Sequence, residues 1–147
     1  GCSLQQRDGI VKIEFDDGTS VETEYLQGKK NGTEIVRHLK RSRDDDSVEL
    51  LTYEKGILNG KASYWYFSGT KSREGNYLNG LMHGCWQSWY TNGQLSWICD
   101  YVQGNKHGSE ITWYSNGIKQ AEARYNRGER EYFQQWNENG DMVEKRR

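Results

Sequence analysis

Aromatic residues return at a fixed interval along the chain, separated by polar segments that end in glycine. Tyr53, Tyr77, Tyr101 and Tyr125 lie 24 residues apart, and each begins a Tyr-x-x-Gly phrase such as YLNGLMHG. A second phrase, written WYFSG, WYTNG and WYSNG, keeps the same interval. Self-similarity at a fixed period of this length is typical of repeat proteins. The pattern therefore predicts about five to six copies of one unit over residues 10–147.

Each copy predicts two antiparallel β-strands joined by turns. The Asn92-Gly93 and Asn116-Gly117 steps indicate tight hairpin turns, because such turns need positive φ. The Tyr-x-x-Gly-x-x-x-Gly phrase predicts a second, longer turn. The segments between turns have a normal strand length of about 6–9 residues. We therefore predict an all-β fold, a single elongated, curved antiparallel meander sheet of stacked β-hairpin repeats, with about ten to twelve strands.

The aromatic residues that recur at one phase predict the core of this sheet. In a repeat array each unit packs mainly on its neighbours, so equivalent aromatic side chains stack in ladders. Small residues two positions before the repeated tyrosines lie beside one ladder. The predicted core consists of the tyrosine ladder and of Trp65, Trp89, Trp113, Gly75, Cys99 and Ala123.

Composition and charge exclude several classes of protein. The 147 residues carry 20 Lys and Arg against 21 Asp and Glu, and this balance argues against a dedicated nucleic-acid binder. Aliphatic residues are scarce, and 6 Trp, 10 Tyr and 3 Phe take their place as large apolar units. No apolar run approaches the roughly 18 residues that a transmembrane helix needs.

The repeated Tyr-x-x-Gly-x-x-x-Gly and Trp-Tyr-x-Asn-Gly phrases resemble the MORN repeat, and specifically the bacterial variant found in YwqK-type antitoxin proteins. The resemblance covers nearly the whole chain and is specific because four copies keep phase. It implies an elongated, curved antiparallel sheet of hairpins. MORN-like proteins act as scaffolds, as membrane-associated modules and as partners of other proteins, so the resemblance implies binding without naming a partner.

The start of the chain resembles the end of a bacterial lipobox, in which a small residue precedes a cysteine that becomes lipidated. Gly1 and Cys2 occupy these two positions, and residues 1–9 are polar, as a short tether is. We therefore expect a lipid on Cys2 that holds the repeat domain, residues 10–147, to the membrane in the bacterial periplasm or cell envelope. The alternative is that Gly1 is a tag remnant and Cys2 an ordinary exposed cysteine.

The other two cysteines flank one predicted hairpin turn. If Tyr90 pairs with Gln94, then Cys85 lies opposite Cys99 on the adjacent strand. Two cysteines in that arrangement can approach disulfide distance, and an oxidising compartment permits the bond. A register that slips by one residue, or a cysteine that serves as a small core residue, is the alternative.

The sequence carries no motif for catalysis or for a cofactor. His83 and His107 occupy one repeat position, but two histidines do not make a metal site, and Asn31 and Asn59 fill that position in other copies. We interpret all four as polar turn residues. Phosphate-binding loops and nucleophile motifs are not found. We therefore expect no enzyme activity, no cofactor and no metal.

Large residues that the repeat does not require are candidates for binding. Tyr64, Trp86 and Trp97 stand where other copies carry small or charged residues. By strand alternation, Tyr64 and Trp86 share the face that carries Tyr90, whereas Trp97 falls on the opposite face. An open aromatic patch of this kind is typical of protein interfaces. The alternative is that these side chains fill local gaps in a thin core.

A charged insertion of four residues interrupts the repeat between Tyr25 and Tyr53. The insertion falls within residues 37–47, RHLKRSRDDDS, where a basic half that includes Arg43 abuts an acidic half that includes Asp44 and Asp45. Such a loop is either simply solvated or docks a charged partner and speeds association.

These observations together predict a non-catalytic protein-binding module, an immunity or antitoxin-like lipoprotein that neutralises a toxin or effector by direct binding. The alternative is an envelope-associated structural scaffold that binds lipid or glycan through its aromatic ladders. We expect a protein partner and no nucleic acid, and the oligomeric state stays open. The predicted partner-binding residues are Tyr64, Trp86, Tyr90, Trp97, Arg43, Asp44 and Asp45.

Overall fold

The computed structural model describes residues 8–39 and 46–146, and within these ranges every regular element is a β-strand. The strands are β1 (Gly9–Glu14), β2 (Ser20–Leu26), β3 (Lys29–Arg37), β4 (Asp46–Glu54), β5 (Ile57–Leu58), β6 (Gly60–Tyr66), β7 (Lys71–Leu78), β8 (Leu81–Trp89), β9 (Leu95–Val102), β10 (Asn105–Trp113), β11 (Lys119–Asn126), β12 (Glu129–Trp136) and β13 (Met142–Arg146). The predicted N-terminal tether, residues 1–9, lies mostly outside the described residues.

All 13 strands form one antiparallel sheet, and neighbours in sequence are neighbours in the sheet. Both β5 and β6 pair with β4, because the strand is interrupted at Asn59 before Gly60, which has a φ of 116°. The sheet therefore has twelve strand positions, two for each of six stacked hairpins. The predicted all-β meander sheet is confirmed.

The two kinds of turn are the reverse of the prediction. Leu78 pairs directly with Leu81, so the Tyr-x-x-Gly phrase forms the tight two-residue turn, with φ of 50° at Asn79 and 84° at Gly80. Positive φ at both central residues matches the twist of the flanking strands. The Asn-Gly phrase forms the longer turn, in which the backbone N–H of Tyr90 donates to the carbonyl of Gln94.

Side chains and turns of successive repeats are joined by hydrogen bonds. The hydroxyl of Tyr90 donates to the carbonyl of Trp113 at 2.6 Å, and Tyr66 and Tyr114 make the same bond one repeat away on either side. The Nδ1 atom of His107 accepts from the backbone N–H of Arg127 at 3.2 Å. Asn59 accepts in the same way from the next turn, at 3.2 Å. His107 and Asn59 therefore link successive turns, whereas the buried Nδ1 atom of His83, at the same repeat position, has no hydrogen-bond partner among the described residues.

The best-buried apolar side chains lie on one face of the sheet, which we call the core face. Trp86 and Ala62 are 0% exposed, and Cys99 and Ala123 are also buried, with Gly75 between them. The prediction of small core residues beside the tyrosine ladder is confirmed. Three predicted core residues, Trp65, Trp89 and Trp113, are only half-buried on the opposite face, which we call the tryptophan face. The core is thus thinner than predicted and one-sided.

The expected pairing of Cys85 with Cys99 is wrong. In the structure Cys85 pairs with Asp100 and Trp86 pairs with Cys99, so the two thiols lie on opposite faces and both are free. Tyr90 still pairs with Gln94 in the turn, but an extra residue in β9 shifts the register by one between the turn and the cysteines. A single added residue of this kind is a β-bulge.

We expect the two thiols to react separately. Cys85 is exposed and Cys99 is buried, and burial raises the pKa of Cys99 to about 12, with a smaller contribution from Glu110. Burial also raises the pKa of Cys85. In a Cys2→Ser variant without reductant, a thiol reagent at pH 8 should label Cys85 in the folded protein and Cys99 only after unfolding. If unfolding exposes no further thiol to the reagent, the result would contradict this register.

Candidate functional site

Four residues form a row across the middle of the core face. Tyr64 pairs with Arg73, Arg73 pairs with Ser88, and Ser88 pairs with Trp97, on strands β6 to β9. Direct cross-strand neighbours on one face have Cβ atoms about 4.5–5.5 Å apart. The row therefore brings an arginine and two large aromatic residues within reach of one another.

The structure places Trp97 on the same face as Tyr64, which corrects the prediction that it lies on the opposite face. Trp89 pairs with Leu95 and Ser88 pairs with Trp97, so Ser96 is an extra residue in β9. This bulge reverses the alternation that strict pairing gives. The same shift of register separates the two cysteines.

Arg73 lies over two tryptophan rings. Its guanidinium carbon is 4.9 Å from the ring centroid of Trp86 and 5.7 Å from that of Trp97. The residue is exposed, and it makes no ion pair with any residue that the structure describes. Stacking uses the flat face of the guanidinium and leaves its N–H edge available for hydrogen bonds.

The Trp86 ring, which lies under the Arg73 guanidinium, is packed tightly against β7. It lies flat on Gly75, so close that a Cβ atom at Gly75 would be 2.0 Å from its Cδ2 atom. The indole Nε1 donates to the carbonyl of Asn76 at 3.0 Å. The Tyr77 ring packs edge-on against the indole, with 5.1 Å between the two ring centroids. Because Trp86 is fully buried, the prediction that it belongs to an open patch is wrong. The alternative, that it fills a gap in a thin core, is confirmed.

The ring of Trp97 is fixed by polar contacts. Its Nε1 donates to Glu110 Oε2 at 3.0 Å, and the same carboxylate oxygen accepts from Lys106 at 2.6 Å. The Tyr101 ring is 6.3 Å away between centroids. Trp97 is half-buried, so it offers a partly open aromatic surface held in one orientation.

Tyr64 borders Arg73 on the other side. Burial raises the pKa of its hydroxyl to about 12, and the nearby Tyr77 and Glu49 add to the rise. A tyrosine hydroxyl is protonated near neutral pH and can donate a hydrogen bond. We call Tyr64, Arg73, Trp86 and Trp97 the Arg73 cluster.

Other predicted binding residues lie apart from this cluster. Tyr90 lies in a turn, where its hydroxyl joins two repeats, so it is explained by the repeat. Cys2, Arg43, Asp44 and Asp45 lie outside the described residues. The structure shows only that the charged insertion begins and ends at a bonded pair, in which the backbone N–H of His38 donates to the carbonyl of Ser47 at 2.8 Å.

Sequence reasoning missed Arg73. It stands at the repeat position that carries Trp97 and Ala121 in the following copies, so it departs from the repeat as clearly as the aromatic residues do. A charged residue on a polar strand gave no further signal, because its position over Trp97 depends on the bulge in β9.

The tryptophan face carries a shallow groove of about 410 Å³ beside Trp65. Its lining is mostly apolar and includes Ile35, Val48, Leu50, Trp65 and Phe67. In the described part of the chain, no group of three or more His, Cys, Asp or Glu side chains could hold a metal ion. Residues 8–39 and 46–146 also contain no helix long and apolar enough to cross a membrane.

The stacked hairpins and the cluster on one face define a β-sheet repeat protein with a candidate binding surface. Two segments of the chain, residues 82–102 and 106–127, match the family model described as the MORN repeat variant. The segments contain most of the β8–β9 and β10–β11 hairpins, and the matches support the MORN-repeat family. MORN repeats are generally non-enzymatic binding modules. A comparison with curated proteins finds none that matches this chain.

Proposed function

We propose that this chain is a non-catalytic protein-binding module of the immunity or antitoxin kind, which neutralises a toxin or effector by direct binding. The observation that carries the proposal is the Arg73 cluster, in which an exposed arginine without an ion pair lies over two tryptophans beside Tyr64. The neighbouring repeats carry other residue types at these positions. A feature that the repeat does not need is the best candidate for a specific contact.

The residue types and their rigidity support this proposal. Trp, Tyr and Arg are the residues most enriched among those that dominate binding energy at protein interfaces. Trp97 is already fixed by Glu110, and Arg73 is already stacked, so binding orders few side chains. Such preorganisation lowers the entropic cost of association.

The proposal includes a location in the bacterial periplasm or cell envelope, with a lipid anchor on Cys2. Its support is the Gly1-Cys2 pair in the sequence. Both residues lie outside the described part of the chain, so the anchor stays a prediction.

The first test is a calorimetric titration of the chain, without a lipid on Cys2, with the product of the reading frame next to its own gene. We expect one-to-one binding in the nanomolar range and protection of cells that express the neighbouring protein. A folded neighbour that gives no binding at micromolar concentration, and cells that are not protected, would contradict the proposal.

We expect Arg73→Met to weaken this complex at least about 30-fold, which corresponds to a loss of about 2 kcal/mol at a residue that dominates binding. Met keeps an aliphatic cover over Trp86 and removes the charge. Arg124→Met is the matched control, because Arg124 is exposed and follows Ala123, so it lies on the tryptophan face. Equal dissociation constants for the two variants would place the contact elsewhere.

A second candidate function is an envelope-associated scaffold that binds lipid or glycan. The observation that favours it is the column of half-buried Trp65, Trp89 and Trp113 on the tryptophan face, together with the apolar groove beside Trp65. This surface does not involve the Arg73 cluster, so substitutions on the two faces separate the two functions.

A further inference from the structure

We infer that the Arg73 guanidinium captures a carboxylate of the protein partner, the side chain of an aspartate or glutamate in an acidic segment. This inference rests on the proposed function, because it names the chemical group that the partner brings to the Arg73 cluster.

Two lysines on the core face have carboxylate partners, with Lys30 at 2.7 Å from Glu34 and Lys106 at 2.6 Å from Glu110. Arg73 has none among the described residues. A partner carboxylate would supply the missing anion, and complementary charge at a contact also speeds association.

The Arg73 guanidinium lies over the Trp86 and Trp97 rings, with its carbon 4.9 Å and 5.7 Å from their centroids. The N–H groups of a guanidinium lie in its own plane. Arginine can therefore stack and bind both oxygens of a carboxylate at once, which lysine cannot do. Tyr64 and Ser88 are the cross-strand neighbours of Arg73 on its two sides, so each brings a hydroxyl group next to it.

The Arg73 cluster suits a carboxylate better than a phosphate. A phosphate carries nearly two negative charges and is usually held by several cations. The cluster offers one guanidinium beside aromatic rings, which suits a group with a single negative charge. The partner residues next to such an aspartate or glutamate can contact Trp97. The overall charge of the chain is also balanced, so the rest of the surface does not favour polyanions.

The test uses the intact chain and three probes, which are an acetylated and amidated tri-glutamate peptide, its tri-glutamine counterpart, and inorganic phosphate. The readouts are the side-chain NMR signals of Arg73 Nε–H and Trp97 Nε1–H. We expect a saturable shift of both with tri-glutamate, at about millimolar affinity. Arg73→Lys should weaken binding about tenfold, because it keeps the charge and loses the planar fork. Arg124→Lys should leave binding unchanged.

Three results would overturn the inference: no saturable shift with tri-glutamate, an equal shift with tri-glutamine, or a stronger response to phosphate. Titration of the Arg73→Lys variant with the neighbouring gene product distinguishes the two proposals. If that variant binds the protein as tightly as the wild type, the carboxylate assignment fails and protein binding stands. If tri-glutamate binds at Arg73 and no protein partner does, the proposed function fails and carboxylate capture stands.

Discussion

Trp86→Ala should destabilise the protein by about 3–5 kcal/mol, the usual cost of removing a buried tryptophan from a core. Trp86 is the largest fully buried side chain among the described residues, and the Arg73 guanidinium lies over its ring. Its removal opens a cavity over Gly75, leaves Tyr77 without its ring contact and takes a donor away from the carbonyl of Asn76. Since domains of this size are stable by about 5–15 kcal/mol, the loss is a large fraction of the total.

Urea denaturation followed by circular dichroism measures this loss. Trp89→Ala is the matched control, because Trp89 lies three residues further along the same strand, on the tryptophan face, and is only half-buried. We expect it to cost clearly less, since less apolar area returns to water. If both substitutions cost the same, the core is not one-sided.

Gly75→Ala should destabilise the protein by about 3 kcal/mol, at the upper end of what overpacking costs. A Cβ atom at Gly75 would lie 2.0 Å from Cδ2 and 2.3 Å from Cε2 of Trp86, and the indole ring is rigid, so it can yield only by moving as a whole. Gly75 is not among the glycines with positive φ, so the substitution adds no backbone strain. The effect is therefore steric.

A double-mutant cycle isolates this contact. In the Trp86→Ala background the indole ring is absent and a Cβ atom at Gly75 has room, so Gly75→Ala should cost less than about 0.5 kcal/mol there. The measurement is the free energy of unfolding of the two single variants and the double variant. Additive losses would show that Gly75 is constrained by something other than Trp86.

Much of the fold follows from the 24-residue period. The interval between Tyr53, Tyr77 and Tyr101 sets the number of strands and the antiparallel order, because each copy must pair with the next. The glycine positions mark the turns, although Asn79-Gly80 rather than Asn92-Gly93 makes the tight one. Local sequence could not decide between these, since both contain Asn-Gly.

The candidate site follows from the sequence only in part. Tyr64, Trp86 and Trp97 could be found as departures from the repeat, and alternation placed Tyr64 and Trp86 correctly on one face. The face of Trp97 could not be predicted, because the extra residue Ser96 reverses the alternation. Alternation left open whether Trp86 belongs to an exposed patch or fills a gap in the core. Its burial depends on Gly75 in the adjacent strand, which leaves room for an indole ring where other copies carry larger residues. Such a pairwise fit is invisible until the register is known.

The tryptophan indole signals test the central claim most directly, because the six tryptophans divide between the two faces of the sheet. The measurement is the NMR spectrum of the indole Nε1–H groups of the intact chain, assigned by single substitutions, before and after addition of the neighbouring gene product. We expect the signals of Trp97 and Trp86 to shift while those of Trp65, Trp89 and Trp113 stay in place. Shifts confined to Trp65, Trp89 and Trp113 would contradict this expectation and would assign binding to the tryptophan face.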